Sequence, residues 1–146
     1  MRGLEMLVSM ITSATGWLMM ALLAAVIAYP FLLRAGFLGP VQPFLQHMRL
    51  HYWLGYTIGC VLLVHLWFSM SGGLALVVNA LGLYLATIAM FLVGVQITLG
   101  RRLSVPGLTQ RKLVRRWHFW IMLGLVTFIL AHVLLDSALF QVLLAR

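Results

Sequence analysis

Four apolar stretches, each long enough to cross a bilayer core of about 30 Å, divide this chain. They lie near residues 9–33, 48–71, 74–99 and 117–143 of 146. Hydrophobic residues make up 64% of the sequence and charged residues 8%, and the mean hydropathy is +1.08. A water-soluble core of this size needs less apolar residue, and so few charges would not keep its surface dissolved. The expectation is a single all-α domain over 1–146, an integral membrane four-helix bundle. The first stretch is read as a retained helix rather than a signal peptide. Its run from Trp17 to Leu33 is long, Glu5 dilutes the charge ahead of it, and Leu33-Arg34-Ala35-Gly36 offers no small-residue cleavage site. A kink is expected at Pro30.

The formal charge of +8 is unevenly placed. With four spans, the first and third connections share one side of the membrane. Arg34, Arg49, Arg101, Arg102, Arg111, Lys112, Arg115 and Arg116 all fall there, whereas Arg2 and Arg146 fall on the other side beside Glu5 and Asp136. The positive-inside bias then puts both basic connections in the cytoplasm and both termini outside, as expected for a bacterial cytoplasmic membrane. The basic loop at 101–116 is read first as a topology signal that also attracts anionic lipid. Nucleic-acid binding is not expected of a short loop held at a bilayer.

Within the second and fourth stretches a pattern recurs 67 residues apart. Arg49-Leu50-His51-Tyr52-Trp53 leads through apolar residues to His65, and Arg116-Trp117-His118-Phe119-Trp120 leads likewise to His132. Each histidine pair is 14 residues apart. On a helix that spacing is about 21 Å of rise and leaves the two side chains roughly 40° apart, on one face. Arg34 and Arg101 extend the repeat; the remainder of the first and third stretches shows no convincing match. Two hairpins related by an axis along the membrane normal would set His51 level with His118 and His65 level with His132. The connection at 71–73 is short enough to make the second and third helices antiparallel neighbours.

A lone histidine in an apolar helix is most often a satisfied structural residue. Four at matched spacing within membrane spans are a functional candidate instead, because intramembrane ionisable groups are costly. Neutral imidazole binds iron well, and helix bundles build cofactor sites from facing helices. The expectation is therefore two stacked haem b groups, the inner on His51 and His118 and the outer on His65 and His132. With both axial positions filled, electron relay is expected rather than oxygen chemistry.

His47, one turn before His51, is an alternative ligand or a quinone contact, with solvent exposure as the default. Arg49, Arg115 and Arg116 suit haem propionates and suit interfacial anchoring equally. Trp53, Trp117 and Trp120 fit haem edges or an aromatic belt. Gly55, Gly59, Gly82, Gly94 and Gly124 are read as helix-packing positions. Cys60, the sole cysteine, excludes Cys-x-x-Cys-His haem attachment and is expected to be a small buried side chain. Carboxylates are nearly absent from the spans, which argues against a proton-coupled pump. No phosphate-binding glycine motif occurs, so no flavin or nicotinamide domain is expected.

Arg115-Arg116-Trp117-His118 through His132, and Leu50-His51 through His65 with Gly55 close behind the first histidine, resemble the ferric-reductase-like transmembrane family. That group includes ferric-chelate reductases, NADPH oxidases and the haem-bearing membrane partner of periplasmic methionine-sulfoxide reductase. The likeness covers residues 47–135. It implies two helices with two histidines each, holding two haems b on His51, His65, His118 and His132. This chain departs from the pattern in having four helices rather than about six. Respiratory cytochrome b uses similar spacing. The resulting expectation is the electron-transfer membrane subunit of an oxidoreductase. Electrons would pass from a cytoplasmic flavoprotein or quinol to an extracytoplasmic acceptor, with a partner subunit or second copy completing so few helices. The competing readings are a non-enzymatic pigment-binding or assembly subunit whose histidines ligate chlorophyll-type rings, and a metal-ion permease. The first usually needs one histidine per ring; the second has few polar groups beyond Asn79 and Gln96 to line a path.

Overall fold

In the computed structural model, which describes residues 2–38, 47–71 and 80–136, the described parts of the apolar stretches are helical. The helices are α1 (Arg2–Arg34), α2 (Arg49–Ser71), α3 (Ala80–Ser104) and α4 (Arg111–Asp136). All four are long and apolar enough to span a membrane. The described residues contain no strand. The chain divides into two compact units, residues 1–73 and 74–146. In the first, α1 packs against α2; in the second, α3 packs against α4. Each unit is thus a helical hairpin.

The hairpin turns account for the ends of the helices. After α1, Gly36 N–H donates to Leu33 O at 3.2 Å and Phe37 N–H to Leu32 O at 3.1 Å. Gly36 has φ +81°, so these residues form a Schellman motif that satisfies two of the last carbonyls of the helix. After α3, Pro106 cannot continue the ladder, and Gly107 takes φ +76°. Arg111 then reaches back from the start of α4, its Nη2 donating to Leu103 O at 2.6 Å. That contact closes the second hairpin at an otherwise orphaned helix terminus.

The expected spans shift at these turns. Residues 101–104 belong to α3 and 111–116 to α4, so the basic loop expected at 101–116 reduces to 105–110. Arginine is a good helix former, and Arg101 and Arg102 in the last turn of α3 face the negative end of the helix dipole. Hydropathy marks where a helix enters hydrocarbon, and that is not where it ends. The connection expected at 71–73 runs into residues 72–79, outside the described set, as do residues 137–143 of the expected fourth span. α1 continues through Pro30 to Arg34 as helix.

Each hairpin has a thin core. Val8, Leu23, Val26, Leu33, Met48 and Ile58 are buried in the first, with Leu33 wholly enclosed; Ala89, Val93, Val114 and Leu125 are buried in the second. Large apolar side chains such as Leu63, Trp67 and Phe91 point outward. In lipid that is no penalty, because acyl chains are as apolar as leucine, and helix pairing depends on close packing and interhelical hydrogen bonds. The polar contacts within each hairpin therefore matter more than the small core suggests.

Candidate functional site

Those polar contacts centre on the histidines. In the first hairpin, His51 on α2 donates from Nδ1 to the carbonyl of Val26 on α1 at 2.9 Å. His65, 14 residues on, places Nδ1 3.1 Å from Thr12 O and 3.0 Å from Thr15 Oγ1. The Thr15 hydroxyl already donates to the helix carbonyls of Ile11 and Thr12, at 2.8 and 3.0 Å, so its oxygen accepts from His65. In the second hairpin His132 on α4 donates from Nδ1 to Gly82 O on α3 at 3.2 Å. A carbonyl can only accept. In the neutral rings of His51, His65 and His132 the proton therefore sits on Nδ1, and Nε2 carries the lone pair. This is the tautomer that an Nε2-ligating histidine adopts when a backbone carbonyl orients it.

His118 is held differently. Gln96 Nε2 donates to the His118 backbone carbonyl at 2.9 Å, while Gln96 Oε1 is buried with no hydrogen-bond partner. The ring lies over α3 at Gly100, where an added Cβ would stand 3.7 Å from Cε1. His65 lies over Gly16 of α1 in the same manner, at 3.4 Å. The glycines that receive imidazole are thus Gly16 and Gly100. Gly55 and Gly94, expected as packing positions, have open space where a Cβ would be.

The 67-residue offset also relates contacts that the bare sequence does not match. Thr15 maps onto Gly82, and these meet the corresponding histidines His65 and His132. Tyr29 maps onto Gln96, and each sends a polar group to a main-chain carbonyl: Tyr29 Oη to His47 O at 2.7 Å, and Gln96 Nε2 to His118 O. Val26 maps onto Val93, and both are buried. The first and third helices are therefore matched in contact where their residue types differ.

The remaining expected residues are resolved one by one. His47 is half-buried rather than exposed, since the Tyr29 side chain reaches its backbone. Cys60 is exposed, not buried, because its position on α2 faces away from α1. Arg49 is exposed in the first turn of α2, and Arg115 and Arg116 in the second turn of α4. Trp53, Trp117 and Trp120 are exposed as well, as interfacial aromatics are. Among the described residues, no group of three or more His, Cys, Asp or Glu side chains gathers as a metal-ion site. A bis-histidine haem takes only two protein ligands, and the Nε2 lone pairs supply donors of the required kind.

Fold and site together define a multi-pass helical membrane protein whose two hairpins are each knit by intramembrane histidines. No family model, curated protein or solved structure matches this chain.

Proposed function

We propose that this chain is a two-haem b-type cytochrome that carries electrons across a bacterial cytoplasmic membrane, with its basic turns in the cytoplasm. The observation that carries the reading is the tautomer set at His51, His65 and His132. Each donates Nδ1–H to a main-chain carbonyl of the neighbouring helix and so keeps its lone pair on Nε2. Purely structural histidines have no need of one shared tautomer at a matched 14-residue spacing. The resemblance to the ferric-reductase-like family supports the same reading, with His51, His65, His118 and His132 as ligands.

When bound, b-type haems held by His51, His65, His118 and His132 would supply one-electron chemistry, and imidazole ligation would favour relay over oxygen activation. The chain's own residues orient the ligands: Val26 O, Thr12 O with Thr15 Oγ1, and Gly82 O each fix a ring by its Nδ1–H. Arg49, Arg115 and Arg116 supply positive charge at the helix ends for propionates or anionic lipid head groups. In this reading the donor is a flavoprotein or quinol on the cytoplasmic side and the acceptor lies outside, with quinone as a further candidate ligand near His47.

The test is a reduced-minus-oxidised spectrum with pyridine-haemochrome quantitation of the purified chain. The expected result is two haems b per chain in the wild type. His65→Ala, His132→Ala and the double variant are each expected to retain one, since the repeat assigns both histidines to the same haem. A folded wild-type protein without a b-type spectrum after expression with ample haem would end this reading.

A further inference from the structure

Three main-chain carbonyls receive a histidine Nδ1–H, and they are not equivalent. Thr12 O and Gly82 O lie four residues before Gly16 and Ala86, whose N–H groups can donate to them in the ordinary helical ladder. Val26 O lies four residues before Pro30, which has no N–H. The proline ring also crowds that carbonyl. A bare carbonyl inside a membrane helix is costly unless a neighbour satisfies it. His51 supplies the missing donor. Its contact, at 2.9 Å, is the shortest of the three histidine-to-carbonyl bonds, against 3.1 Å for His65 and 3.2 Å for His132.

We infer that Pro30 is a positioning residue for His51: by withholding its N–H it exposes the Val26 carbonyl, which holds the His51 ring with its proton on Nδ1. The dependence is mutual. Pro30 is tolerated within α1 because His51 satisfies Val26, and His51 is oriented because Pro30 leaves Val26 open. As a statement about the His51 ring, the inference stands on this hydrogen bond alone. As a statement about ligation it rests on the haem reading above, where a stronger Nδ1–H acceptor makes the ligand more electron-rich and favours oxidised iron.

Full-length chain labelled with 15N-histidine in detergent micelles provides the test, with His51 assigned by His51→Gln. In the wild type, His51 is expected as the Nδ1–H tautomer with a slowly exchanging proton. Pro30→Ala and Pro30→Leu both restore an N–H at position 30. Both are expected to speed exchange of that proton roughly fivefold to tenfold, the loss of most of one hydrogen bond, and to make the Nε2–H form detectable. The signals of His65 and His132 should stay unchanged, reporting an intact hairpin. An unchanged His51 in both variants, an effect in Leu but not Ala, or a wild-type ring protonated at Nε2 alone would overturn the inference. Redox titration adds a second readout: Pro30→Ala should raise one of two midpoint potentials and leave the other in place. If the protein binds no haem yet the tautomer responds, the haem reading fails and the role of Pro30 stands.

Discussion

In the first hairpin the Val26 carbonyl has lost its helical donor to Pro30 and is satisfied by His51 from the neighbouring helix. In the second hairpin the corresponding carbonyl is that of Val93, and Ile97 stands where Pro30 would be. Ile97 carries the N–H that proline lacks, so α3 has its full ladder at this point. There the polar tie is instead Gln96 Nε2 to the backbone of His118. The two hairpins thus attach a histidine of the same repeat position to the preceding helix by different means, one through the ring and one through the main chain. The difference shows that a repeat can keep its spacing while the support behind each copy diverges.

Substitutions that move one hairpin toward the other test this directly. Ile97→Pro would give α3 the defect that α1 already tolerates, without a ring shown to satisfy Val93. A loss of about 3 kcal/mol is expected in reversible unfolding from mixed micelles. A loss below about 1 kcal/mol would mean that the second hairpin also holds a donor in reserve. Next in size come the polar ties at the other end of the offset pair. Tyr29→Phe removes the donor to His47 O and is expected to cost about 1 kcal/mol. Gln96→Leu should cost less than that, because it removes the buried, unpartnered Oε1 along with the bond to His118 O. Equal costs would show that the orphaned oxygen carries no penalty. An effect of the opposite sign belongs to the glycines beneath the rings. An added Cβ meets His118 at 3.7 Å and His65 at 3.4 Å, both ordinary contacts. Gly100→Ala should gain up to about 1 kcal/mol from helix propensity, and Gly16→Ala somewhat less. A clear loss at Gly16 would mean that His65 cannot yield even slightly.

Much of the fold was legible beforehand, for reasons these residues make plain. Four runs of membrane length announce four helices, and the basic stretch at 101–116 marks the connection between the last two. The helix ends lie beyond the expected spans because hydropathy falls at Arg101 and Arg111 while the backbone stays helical. At the site, the histidine spacing was visible because it resides in side chains. Their supports on α1 and α3 were not, since a carbonyl acceptor leaves no trace in residue type. Thr15 and Gly82 share no chemistry, yet stand at the same place in the two hairpins. One signal was available: a proline within a helical run marks a bare carbonyl four residues earlier, and Pro30 points to Val26. Gly36 offered another, as the left-handed residue closing a Schellman motif.

Anchoring imidazoles on main-chain oxygens changes which substitutions can harm the site. No exchange of side chain at 12, 26 or 82 can delete the acceptor, because every residue there brings the same carbonyl. Only a slip of helix register, a bulky group wedged between the helices or, at Val26, a residue that restores the N–H at position 30 can part donor from acceptor. Apart from Pro30 and Thr15, the anchoring helices can therefore drift in sequence and still grip the rings, while the helices that carry the histidines cannot. Tolerance to substitution should consequently alternate along the chain, broad on α1 and α3 and narrow on α2 and α4, in a scan that reads membrane insertion and hairpin stability together.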